Sequence, residues 1–114
     1  MVDTKLSQLL GFDAHGSFVK TIEVKNFGKD IIITCLHSPW ENPSLFYIDL
    51  VDCKDIRWVV FLESFDPPGS ESELGADIIG LEIGNSDYDK VFLVHTVVFE
   101  LSVSYRNLQV RKNN

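Results

Sequence analysis

The segment Phe18-Val19-Lys20-Thr21-Ile22-Glu23-Val24-Lys25 decides the fold. Its alternation puts Phe18, Ile22 and Val24 on one face and Thr21, Glu23 and Lys25 on the other, the period of two that marks a half-buried strand. From Ser17 onward the chain is rich in Val, Ile, Phe, Tyr and Trp, side chains that fit a pleated surface. Downstream, Asn26-Phe27-Gly28-Lys29-Asp30 reads as a turn by composition. Further strands are expected over Ile31 to His37, Leu45 to Asp52, Ile56 to Phe65 and Ile78 to Ile83. The run Val91 to Val110 is too long for one strand. Phe99, Leu101, Val103 and Tyr105 share a parity that Leu108 and Val110 break, so a bulge or turn is expected near Arg106-Asn107. Upstream, Leu6, Leu9 and Leu10 stand at helical spacing, with Asp3 or Thr4 as cap and Gly11 as a left-handed stop. The reading is all-β: an antiparallel β-sandwich or partly open barrel of seven or eight strands with a short N-terminal helix, in one domain over residues 1–114. No segment has room for the crossover helices that a parallel sheet needs.

Charge is unevenly distributed. The 114 residues include 17 acidic and 10 basic side chains, a formal net charge of −7. Eight of the acids fall between Glu63 and Asp89, a stretch without Lys or Arg. A chain with no basic stripe neutralises few phosphates, which argues against nucleic acid as a partner, and the same balance argues against an anionic membrane surface. The longest uncharged runs, Ile31 to Trp40 and Val91 to Phe99, are about half of what a spanning helix needs. The start Met1-Val2-Asp3-Thr4-Lys5-Leu6-Ser7 lacks the apolar core of a secretory signal, so a cytoplasmic location is expected.

Few chemistries find their residues. The glycines make no phosphate loop, and no G-x-S-x-G marks a nucleophilic serine. Gly84-Asn85-Ser86-Asp87-Tyr88-Asp89 offers oxygen ligands, but a calcium loop begun at Asn85 would have Lys90 where glycine is required and Thr96 where glutamate is required. A hairpin turn is the better reading. Cys35 and His37 share a strand face and would need His95 or Cys53 to complete a three-ligand zinc site; without a paired ligand signature they read as a half-buried thiol and a hydrogen-bonded imidazole. In a hairpin turning at Pro39 to Pro43, Cys35 stands opposite about Tyr47, too far from Cys53 for a disulfide within that hairpin. No catalytic residue, metal or cofactor is expected.

Recognition remains. Ile31-Ile32-Ile33, Trp58-Val59-Val60-Phe61-Leu62 and Val91-Phe92-Leu93-Val94 are apolar on both faces and therefore want cover on both sides. A protein partner or a second copy, in a homodimer, would supply it. The acids Glu63, Asp66, Glu71, Glu73, Asp77, Asp87 and Asp89 form a candidate surface for a basic partner. The alternative is a small-molecule-binding or hydrolytic β-sandwich whose pocket gathers His37, Trp40, Trp58 and His95.

The strings Asp52-Cys53-Lys54-Asp55-Ile56-Arg57-Trp58, Asp77-Ile78-Ile79-Gly80-Leu81, and His95-Thr96 followed by Phe99-Glu100-Leu101-Ser102-Val103 resemble small β-rich bacterial proteins, chiefly cyanobacterial, of unknown function. Gly80 and its neighbours, with the Phe99-Glu100-Leu101 strand, are also faintly similar to the β-sheet immunity proteins that neutralise bacterial toxins. That likeness implies an acidic binder of a basic protein and carries over no site residue. The sequence therefore points to a non-enzymatic, cytoplasmic protein-interaction module.

Overall fold

The computed structural model describes residues 8, 11, 16–38, 43–61, 76–85 and 90–113. Eight strands run through them: β1 (Ser17–Lys25), β2 (Asp30–His37), β3 (Ser44–Val51), β4 (Lys54–Val60), β5 (Ala76–Asn85), β6 (Lys90–Thr96), β7 (Phe99–Tyr105) and β8 (Asn107–Asn113). They form one antiparallel sheet in the order β4-β7-β6-β5-β1-β2-β3-β8. The all-β reading holds. Leu6, Leu9 and Leu10, on which the N-terminal helix was expected, lie outside the described residues.

Alternation sets the core. On β2, Ile31, Ile33 and Cys35 are buried; on β3, Phe46, Ile48 and Leu50; on β6, Phe92 and Val94; on β7, Leu101 and Val103. All belong to one hydrophobic cluster, so the two four-stranded halves of the sheet share a single core. Among the described residues, the two halves are paired as strands at Phe18↔Asp77 and Val19↔Ala76, where β1 meets β5. At that joint the β1–β2 register shifts between Val19 and Thr21, and Ser17, Phe18 and Val19 are all buried. Beyond it Ile22 alone of the strand is partly buried. Val24, expected on the inner face, is instead exposed, because β5 does not accompany β1 that far.

The run Val91 to Val110 resolves into parts of three strands. The break at Arg106 is present, and the Arg106 N–H donates to the Val51 carbonyl. A second break falls at Val97-Val98, where no turn residue announces it. Thr96 makes this turn: its fully buried hydroxyl accepts from the N–H groups of Val98 and Phe99 and donates to the Phe99 carbonyl at 3.0 Å. Thr96→Val should leave two backbone donors unsatisfied and cost about 1–3 kcal/mol. Thr96→Ser should retain most of that stability. Urea denaturation of the two variants checks the difference, since a purely steric role for the side chain predicts the opposite order.

Candidate functional site

Among the described residues, strand β4 ends the sheet at one side and pairs with β7 alone, through Arg57↔Ser102, Trp58↔Leu101, Val59↔Glu100 and Val60↔Phe99. Every residue of β4 is exposed. Trp58 (46%), Val59 (53%), Val60 (60%) and the following Phe61 (46%) form a continuous apolar run in water. This run consists of β-branched and aromatic residues, yet the edge position of the strand denies them cover on one side.

The ladder fixes which backbone groups are open. The Phe61 N–H donates to the Val98 carbonyl at 2.7 Å. In an antiparallel pair the bonded positions alternate, so Arg57, Val59 and Phe61 turn their N–H and C=O groups toward β7. Trp58 and Val60 turn theirs to the open side. The register with β7 is interrupted between Lys54 and Arg57, and Asp55 has a positive φ of 53°, so the regular part of the edge begins at Arg57.

Side chains alternate across the same strand. Trp58 lies on the side of buried Leu101, with its ring 5.8 Å from that of Phe99. Val59 and Phe61 lie on the opposite side, where the Phe61 ring stands 5.5 Å from the His95 imidazole. His95 Nδ1 is in turn 3.8 Å from a Glu100 carboxylate oxygen.

The predicted pocket residues are distributed differently. Trp58 and His95 occupy opposite faces of their half of the sheet. His37 closes the β1–β2 ladder, joined through Nδ1 to Ser17 Oγ at 2.7 Å. Ser17 is fully buried, so this serine–histidine pair offers no nucleophile to a substrate. Trp40 lies outside the described residues. Of the acidic candidates, Asp77 is described and is exposed on β5; Glu63, Asp66, Glu71, Glu73, Asp87 and Asp89 lie outside them. Glu82, which shares β5 with Asp77, is exposed as well.

Both cysteines are free and buried. Cys35 stands opposite Phe46, one residue from the expected partner. Burial pushes its thiol far above the ordinary range, and Cys53 is pushed up to about 11, chiefly by burial and then by the charge of Asp30. Neither is an activated thiol. Among the described residues no group of three His, Cys, Asp or Glu side chains is placed to hold a metal ion. None of their helices is long and apolar enough to cross a membrane.

No family model and no curated protein matches this chain. The site is therefore defined by its own geometry. Sequence reasoning marked the Trp58 to Leu62 run as needing cover but placed only Trp58 among candidate site residues; that the run forms an edge follows from strand order, which no local pattern encodes.

The raised thiols set a pH dependence. Because the folded state holds the protons more tightly than the unfolded chain, the Cys53 contribution is complete below the thiol's ordinary 9.0 and is lost as pH rises toward about 11. Cys35 acts in the same sense. The urea midpoint should fall on going from pH 8 to pH 11, and the fall should be shallower in a Cys35→Ala, Cys53→Ala variant compared with its own value at pH 8.

Proposed function

We propose that this chain is a non-enzymatic cytoplasmic module that binds protein through the open edge of β4, with the acidic stretch Glu63–Asp89 steering a basic partner. The contrast between the two edges carries the reading. Proteins blunt exposed edges with charge, proline and bulges because unpaired N–H and C=O groups template further strands. β8 follows that rule, with Gln109, Arg111 and Lys112 exposed and Arg111 paired with Asp49 and stacked over Tyr47. β4 breaks it at Trp58-Val59-Val60-Phe61.

Strand addition suits such an edge: backbone hydrogen bonds supply affinity and alternate side chains supply choice of partner. The acids then act on the rate of encounter rather than on the bound geometry. An acidic binder of this kind also agrees with the likeness to immunity proteins. We read the two halves of the sheet as the layers of a sandwich left open at β4 and β8, since both bury side chains in one cluster.

A photo-crosslinking residue, benzoylphenylalanine, tests this when placed at Phe61 and, as control, at Gln109 on the opposite edge. Irradiation in cells that natively contain the protein should give discrete protein adducts from position 61 and few from position 109. Equal labelling from both positions, or none from either, would overturn the reading. Mass spectrometry of the adducts separates a second copy from another protein.

A further inference from the structure

We infer that the occupant of the β4 edge is a second copy of the same strand, paired antiparallel about a two-fold axis at Val59; the inference rests on the edge reading above and names its partner. The backbone argues for it first. Within the regular part of the strand, Trp58 and Val60 are the residues whose N–H and C=O groups face away from β7, with no partner among the described residues. An antiparallel copy centred on Val59 sets Trp58 opposite Val60 of the second copy, and Val60 opposite Trp58. Each of those pairs exchanges two hydrogen bonds, so all four donors and acceptors on each edge are satisfied. Centring on Trp58 would draw Ile56 into the ladder, where the register with β7 is already broken. The Val59 register uses residues 57–61 and no others.

The side chains fit the same register. On one face Trp58 meets Val60 of the second copy, an aromatic and β-branched pair of the kind that stabilises sheets. On the other face Arg57 meets Phe61 of the second copy. Arg57 is an exposed cation on an apolar strand, and a guanidinium set beside an aromatic ring makes a cation–π contact. The strand itself carries two bases and one acid, so the surplus negative charge of the chain lies elsewhere.

Area fixes the strength. With full side-chain areas of about 150–250 Å² for the aromatic residues and somewhat less for valine, the exposed fractions of Trp58, Val59, Val60 and Phe61 come to roughly 400 Å² per copy. Two copies therefore bury at most about 800 Å², the size of a weak, transient contact rather than of a stable dimer. The dimer is reversible and dependent on concentration. Added salt strengthens it, because screening relieves the repulsion between two chains of net charge −7.

Sedimentation of the full chain tests the pairing. The weight-average mass should rise with concentration from 12.9 kDa toward twice that value, while Val60→Lys, which puts a charge on the edge at an exposed position, should remain a monomer with an unchanged circular dichroism spectrum. Val59→Cys tests the register. A non-hydrogen-bonded pair brings its Cα atoms to about 4.5 Å, within disulfide reach. Under an added oxidant that variant should cross-link at least tenfold faster than Gln109→Cys, with buried Cys35 and Cys53 giving little background. A chain that stays monomeric at all concentrations, a Val60→Lys variant that dimerises like wild type, or equal cross-linking of the two cysteine variants each overturns the inference. If the chain is monomeric while position 61 captures a different protein, self-pairing fails and the interaction module stands.

Discussion

The joint between β1 and β5 is two residue pairs long, Phe18↔Asp77 and Val19↔Ala76, and the rest of the sheet depends on it. A long ladder there would have held eight strands as one broad surface with two faces to cover. With the short ladder, Ile33 and Ile48 from one half and Phe92 and Leu101 from the other enter the same cluster, each 0% exposed. Burying each such side chain stabilises the fold by about 1.5–3 kcal/mol. The bulge between Val19 and Thr21 belongs to the same device, since a bulge bends the strand that carries it and increases local twist.

Among the described residues the sheet ends at β4 and at β8, and these two edges have different chemistry. On β8 the outward residues are polar, and Arg111 is held by a two-point contact with Asp49 at 2.5 and 3.0 Å. On β4 the charged start Lys54, Asp55 and Arg57 gives way to an apolar run, Trp58 to Phe61, of the kind found in interior strands. A strand of that composition at an edge is a hazard for a monomer and a resource for a binding protein. The same physics that closes the core therefore concentrates the unmet hydrogen bonds and apolar area on residues 57–61.

Much of the fold was legible because its information is local. Alternation over Phe18 to Lys25 and Ile31 to His37 located β1 and β2, and the parity change before Leu108 located the β7–β8 break. The β6–β7 turn was not legible, because Thr96-Val97-Val98-Phe99 holds none of the residues that usually announce a turn; one threonine hydroxyl replaces them. The site was half legible. The apolar run from Trp58 advertised a need for cover, whereas its edge position arises from non-consecutive pairing of β4 with β7. His37 and His95, which the sequence offered together for an alternative pocket, stand on β2 and β6 with β5 and β1 between them in the sheet order, His37 bonded to Ser17 and His95 3.8 Å from Glu100.

A second contact explains why only part of β4 is a regular edge. The Asn26–Gly28 turn places Asn26 and Phe27 at positive φ, a conformation costly for a side chain as large as Phe27, and Gly28 follows at φ 97°. A Cβ on Gly28 would lie 3.2 Å from Ile56 Cδ1, so the turn sits close against the start of β4. Beside it the Cys53 N–H donates to the Lys29 carbonyl at 2.7 Å. These contacts tie the N-terminal end of β4 to the half of the sheet that carries β1 and β2, at the opposite end of β1 from the joint. Asp55 takes up its positive φ in the segment so held, and the ladder with β7 becomes regular only from Arg57 onward. The strand is thus anchored at one end by the core's own closure and presented at the other, which gives the open segment a fixed position from which to meet a partner.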